Sequence, residues 1–381
     1  MIKLRPWLVF VALALAGCTE TSAPPDVTTP DPQDPSDDPV VVPPPTGTRR
    51  EQSINLPRFG DATKTMKVTL GWREGAQPKC VFVGWVLFGS SYYRFSTIAQ
   101  RHDCAELFWD VPSDPENDRN QGVQGDNNVR ALERFATDLN LPTLKTAPWV
   151  LWGASRATRY FARTGVARPE RTIAVLNQVG TGAPWPQPVS SSYRIENGQL
   201  CSDVPARKPE LDAALQVPMV FLWGEHDPFY GDGQDNGTVS PGKSPRWGIQ
   251  SSLIYPLAYG APVTNIVEPG QGHNAGATTG IKNEPRSFYD EYLDAVIARR
   301  MPSAPGGALR ALDLSDGYTG TYKLGWAYQK AVGGAPFTDG GDARCWVNHR
   351  AWFPTEAAAK AAQRVWQSKP FEKYMQDVLK P

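Results

Sequence analysis

The chain of 381 residues has little histidine, four in all, and its formal charges cancel, with Lys plus Arg and Asp plus Glu at 39 each. Balanced charge argues against a nucleic-acid or anionic-surface binder, because such proteins need a positive excess to hold phosphates. No internal repeat is present, which excludes a solenoid or propeller. The apolar run near the start, Trp7 to Ala14, is too short to span a bilayer comfortably. Oxygen ligands crowd together in Asp232-Gly233-Gln234-Asp235-Asn236-Gly237, but without the twelve-residue calcium spacing. A solvated turn is expected there, and neither a metal nor a cofactor is predicted.

What the chain does have is one stretch around which the rest can be arranged. Trp149-Val150-Leu151-Trp152 is a short apolar run, long enough for a buried strand and too short for a helix. Gly153-Ala154-Ser155 then turns sharply, and from Arg156 the spacing is helical, with Ala157, Tyr160 and Phe161 able to pack on one face. Strand, tight turn with a central serine, helix is the layout of a nucleophile elbow. The bend lifts the serine hydroxyl clear of the sheet and aims the next backbone N–H, that of Arg156, where an oxyanion forms.

This stretch resembles the elbow of the α/β-hydrolase superfamily. The family motif is Gly-x-Ser-x-Gly; here it reads Gly153-Ala154-Ser155-Arg156-Ala157, with alanine at a position that needs a small residue. The resemblance covers roughly Val68 to Arg299 and implies an α/β fold with a doubly wound, mostly parallel sheet.

Export signals come first in the chain. Lys3 and Arg5 precede the apolar run, which ends in Leu15-Ala16-Gly17-Cys18. Those four residues resemble the lipobox of bacterial lipoproteins, which implies a signal peptide over residues 1–17 and lipidation of Cys18. The implied location is the cell envelope, membrane-anchored through that lipid, and Thr19 resembles outer-membrane rather than inner-membrane sorting. Residues 18–48 are dense in proline and acid and predict an extended, disordered tether.

Residues 49–300 then read as the core. Thr65 to Trp72 alternates as a half-exposed strand does, and Cys80 to Phe88 is continuously apolar, as a central parallel strand should be. A helical stretch to about Arg101 and a strand from Ala105 to Val111 follow. A helix is predicted over Asn127 to Asn140, with Val129, Leu132, Phe135 and Leu139 on one side. Later strands are predicted at Arg171 to Asn177, Val217 to Gly224 and Val263 to Val267, the last of the set, before a helix from Ser287 to Arg299. Two stretches break the alternation. Residues 180–216 sit where members of this superfamily carry a cap. Residues 301–381 read as a partly helical C-terminal appendage, clearest as a helix from Thr355 to Ser368.

A serine nucleophile needs a base, and the base an orienting carboxylate. The superfamily supplies them in the order serine, acid, histidine from the ends of later strands. Gly270-Gln271-Gly272-His273 follows the last predicted core strand and matches that order, so His273 is the expected base. His102 reads as structural, His226 as pocket lining, and His349 is out of order. Strand-Gly224-Glu225-His226-Asp227 resembles the acid loop, making Asp227 the expected acid and Glu225 its rival. The second oxyanion donor, beside the N–H of Arg156, is expected at the backbone of Ser90 or Ser91, although Phe88 stands where the family commonly has histidine.

With Cys18 lipidated, Cys80, Cys104, Cys201 and Cys345 remain, an even set that suggests two disulfides with three possible pairings, or else buried thiols. The family's strand order makes the strands at Cys80 and Cys104 neighbours. It thereby implies Cys80–Cys104 and leaves Cys201–Cys345. The expected activity is carboxylic ester hydrolysis through an acyl-enzyme, on a small-molecule or polymer ester. The same residues would serve a serine peptidase. The competing class is a non-catalytic surface lipoprotein of the same fold that binds a glycan or envelope partner, with tryptophans such as Trp185 as stacking surfaces.

Overall fold

The computed structural model describes residues 47–58, 61–86, 95–110, 123–180, 185–186, 194–196, 199–201, 203–226, 253–272, 288–321, 327–330 and 350–370. Residues 18–46 of the tether with Cys18, Phe88, Ser90, Ser91, Asp227, the 232–237 turn, His273, Cys345 and His349 lie outside them, as do the side chains of Arg156 and Cys201.

The chain opens with an antiparallel pair, β1 (Arg49–Arg58) and β2 (Asp61–Arg73). Met66, Val68 and Leu70 of β2 are buried and alternate with exposed Thr65 and Lys67, so one face of this pair is wet. β3 (Cys80–Val86), α1 (Ser96–Arg101), β4 (Cys104–Asp110), α2 (Val123–Asp138), β5 (Trp149–Ala154), α3 (Thr158–Ala167) and β6 (Thr172–Gln178) follow. A two-stranded hairpin, β7 (Arg194–Glu196) with β8 (Gln199–Cys201), lies in the predicted cap stretch. Then come β9 (Met219–Gly224), β10 (Val263–Glu268) and α4 (Phe288–Arg300), followed by β11 (Tyr318–Thr321), β12 (Ala327–Lys330), β13 (Arg350–Phe353) and α5 (Glu356–Gln367).

The main sheet runs β1-β2-β4-β3-β5-β6-β9-β10-β13-β11-β12. Every pairing from β4 to β10 is parallel, and those outside that block are antiparallel. β5, β6, β9 and β10 are buried almost throughout, and β5 and β9 are accordingly unbroken apolar runs rather than alternating ones, while β6 and β10 also bury polar residues such as Asn177 and Asn265. Successive residues of β5 meet different helices. Leu151 lies toward α3, where an added Cβ on Gly165 would sit 3.7 Å from it. Trp152 points the other way, onto Phe95 at a ring separation of 5.7 Å, and Phe95 in turn meets Tyr289 of α4 at 5.6 Å. Helices therefore cover both faces, and the fold is the doubly wound α/β arrangement.

Two expectations change. The sequence reading has no strand at β1, and β10 is not the last strand: β11, β12 and β13 extend the same sheet beyond it. The C-terminal stretch therefore combines strand and helix. Its helix, α5, has the expected ends, with Thr355 at the N-cap accepting from the Ala358 N–H at 3.2 Å. Ala358, Ala359, Ala361 and Ala362 make its buried face, and their small size suits close packing on α4 and β10.

Cys80 and Cys104 are directly opposed in the β3–β4 register and form a disulfide, with Cα atoms 4.5 Å apart. Cys201–Cys345 falls outside the described side chains.

Candidate active site

Parallel strands end on one edge, and their following loops gather there. Ala154, Gln178 and Leu222 are partners across β5, β6 and β9, and Gly224 pairs with Glu268 of β10. The chain leaves these four strands at Ser155, Val179, Glu225 and Pro269, side by side.

Ser155 has φ 53°, inside the left-handed region that a serine rarely adopts. Ala154 before it is extended, at φ −113° and ψ 144°, and Ala157 after it is already helical, at φ −65° and ψ −25°. The reversal is thus concentrated on the serine. The Thr158 side chain stabilises it, donating from Oγ1 to the Ser155 carbonyl at 2.7 Å. Gly153 cannot carry a side chain, since a Cβ there would lie 2.7 Å from the Ala157 carbonyl carbon and 2.8 Å from Phe161. Ala157 needs no positive φ and is fully buried, so alanine satisfies the position that glycine holds in the family motif.

A second support was not legible in the sequence. Val179, directly after β6, has φ 46°, an outlier for a β-branched residue. Its N–H donates to the Leu222 carbonyl at 2.7 Å, and the next residue, Gly180, lies so close to the Ser155 carbonyl and the Thr158 side chain that a Cβ would collide with both. The elbow therefore rests on the turn that follows β6.

The loops leading to Asp227 and His273 are zipped together. The Glu225 N–H donates to the Glu268 carbonyl at 3.0 Å and the His226 N–H to that of Gln271 at 2.7 Å. Glu225 is fully buried, and its Oε2 accepts from the Gly270 N–H at 2.8 Å. That bond ties the Glu225 carboxylate to the loop before His273. Gly270 takes a left-handed φ of 64°, and an added Cβ on Gly224 would strike the Gln271 and Gly272 carbonyls.

His102 caps α1, with Nε2 2.8 Å from Asp294 of α4. Burial disfavours the Asp294 carboxylate, but His102 and Arg101 outweigh it and hold the group below its usual range. This histidine is a strut between helices. Trp185 is buried and stacks on Tyr255 at 5.9 Å, so it is packing rather than an exposed sugar platform. Among the described residues, no cluster of three or more His, Cys, Asp or Glu could hold a metal, and no helix is long and apolar enough to cross a membrane.

No protein-family model and no curated protein matches this sequence. Among solved structures, similarity is found to LpqC, a poly(3-hydroxybutyrate) depolymerase from Bordetella parapertussis, at 18% identity and a TM-score of 0.36, over 60% of this chain and 85% of that one. Poly(aspartic acid) hydrolase-1 from Sphingomonas sp. KT-1 is similar at 12% identity and a TM-score of 0.40, over 58% and 93%. An esterase from Pyrobaculum calidifontis is similar at 13% identity and 0.36, over 59% and 76%. The sheet order, the left-handed serine between β5 and α3, and the paired loops after β9 and β10 make this an α/β-hydrolase fold.

Proposed function

We propose that the protein is a serine hydrolase that cleaves carboxylic esters. The observation that carries this reading is the left-handed Ser155 at the tip of the β5–α3 turn, a strained residue on the edge where the strand-end loops gather. Ser155 Oγ attacks the ester carbonyl carbon and passes its proton to His273. Asp227 accepts the other imidazole N–H and stabilises the imidazolium. The backbone N–H of Arg156 and that of Ser90 or Ser91 hold the oxyanion. Collapse expels the alcohol, which takes the proton from His273. Water, deprotonated by the same imidazole, then opens the acyl-enzyme and returns Ser155 and the free acid.

The substrate is a small-molecule or polymer ester. The lipobox-like Leu15-Ala16-Gly17-Cys18 supports an envelope-anchored enzyme whose lipid is carried by Cys18. The test is labelling by a fluorophosphonate probe together with turnover of p-nitrophenyl acetate and butyrate. Ser155→Ala and His273→Ala should each lower turnover by about a million-fold, and Ser155→Ala should abolish labelling. Folded wild-type protein that neither labels nor turns over ester overturns the proposal.

A further inference from the structure

The opposite edge of the sheet has its own concave feature. An open trough of about 780 Å³ lies before the amino end of β6, between that segment and the loop after α4. Its walls carry four cations, Lys145, Arg171, Arg300 and Arg310, against one carboxylate, Glu170.

Two of these cations are set rigidly into the wall. Arg300, the last residue of α4, is 3% exposed. Its Nη1 donates to the Gln216 carbonyl at 2.8 Å and its Nη2 to the Thr172 carbonyl at 3.1 Å. Arg171 donates to the Ala147 carbonyl at 2.8 Å and lies over the Trp149 ring at 4.3 Å. All three acceptors are neutral, so the hydrogen bonds orient each guanidinium without cancelling its charge. Among the described residues neither arginine makes an ion pair, and the Nε of each is buried without an acceptor.

Burial pushes the Arg300 guanidinium down to about 10, with nearby Tyr292 offsetting only part of this. Burial also pulls Arg171 down, and Glu170 opposes it while Arg168 adds to it. Oriented positive charge with no ion-pair partner, set in the wall of a trough, is what a phosphate complements through its own charge, and each guanidinium terminus has further N–H groups beyond those bonded to carbonyls. Exposed Lys145 and Arg310 add charge at the rim, where a ligand would enter.

We propose that this trough binds a phosphate group, with Arg171 and Arg300 in its wall and Lys145 and Arg310 at its mouth. Ser155 follows the carboxyl end of β5, so a phosphate here leaves the serine edge open, and the proposal stands independently of the reaction assigned to that edge.

The full chain is titrated calorimetrically with sodium phosphate, against sodium chloride at equal ionic strength. Vesicles of phosphatidylglycerol serve as a separate arm to distinguish a free phosphate from a lipid headgroup. Wild-type protein should bind one phosphate, and Arg171→Gln should weaken it about tenfold, the loss expected for one charge-assisted contact. Because Arg171 also packs on Trp149, the double variant Lys145→Gln/Arg310→Gln, confined to exposed side chains, is run alongside and should weaken binding about fivefold. Loss of free phosphate in both variants supports a soluble ligand. Binding to vesicles alone, lost in both variants, supports the same phosphate chemistry in a headgroup. No binding in either arm, or binding unchanged in both variants, overturns the proposal.

Discussion

The two edges of the parallel sheet are held by different means. At the carboxyl edge the left-handed residues other than glycine are Ser155 and Val179, types that resist that conformation, and Gly153, Gly180 and Gly224 sit where no side chain could. At the amino edge the left-handed residues other than glycine are Asp103 and Asn140, types that adopt it readily. There the ties run through side chains: the Cys80–Cys104 disulfide, Asp103 paired with Arg73 and Lys79, and arginines bonded to strand-end carbonyls. Backbone strain is concentrated at the edge where a reacting group must project, and side-chain cross-links at the opposite edge.

The comparison is broken most sharply by Gly180→Ala. The added methyl must displace the Ser155 carbonyl or the Thr158 hydroxyl, so turnover should fall about 100-fold, the scale of a misplaced reacting group. Stability should fall by about 1–3 kcal/mol from overpacking, read by urea denaturation. At the other edge, Cys80→Ala/Cys104→Ala opens a cross-link between residues 24 apart. It should cost about 3 kcal/mol of stability while turnover per folded molecule is unchanged, the reverse division of effects.

Glu225→Gln sharpens the contrast at the serine edge. It keeps an oxygen for the Gly270 N–H but removes the charge, and should lower kcat about tenfold, with little change in the unfolding midpoint. The smallest effect is expected at Glu106, near the amino end of β4. Burial raises its pKa above the usual carboxyl value of about 4.5, while Arg49 opposes the rise. The folded state thus holds this proton more tightly than the unfolded state, and stability is lost as pH rises from about 4.5 through the raised value. Glu106→Gln should flatten that fall in a series of melts from pH 4 to pH 7, and an undiminished fall would show that other groups set it.

The parts of this design that were legible share a local signature. Unbroken apolar runs marked β3, β5 and β9, and Gly153-Ala154-Ser155 marked the bend, because each needs only its own sequence to be recognised. β1 escaped notice because Arg49–Arg58 is largely polar and its weak apolar positions, Ile54 and Leu56, are only half-buried. β11 is four residues long with a central glycine, Gly320, and exists because β13 and β12 flank it. At the candidate site, Ser155 announced itself by its neighbours in sequence. The roles of Val179, Gly180 and Glu225 were not legible, although Glu225 stood there as the rival acid, since they arise from partners on other strands: Leu222, Ser155 and Gly270.

Val179 also gives the elbow a built-in clock. Its amide proton is shared with Leu222 at 2.7 Å, within a turn whose backbone is under tension. Exchange of that proton for deuterium requires β6 and β9 to part at their ends, which is the opening that would release Ser155 from its unusual conformation. The exchange lifetime of this one amide therefore reports how often the elbow relaxes, in the resting protein and with no substrate present.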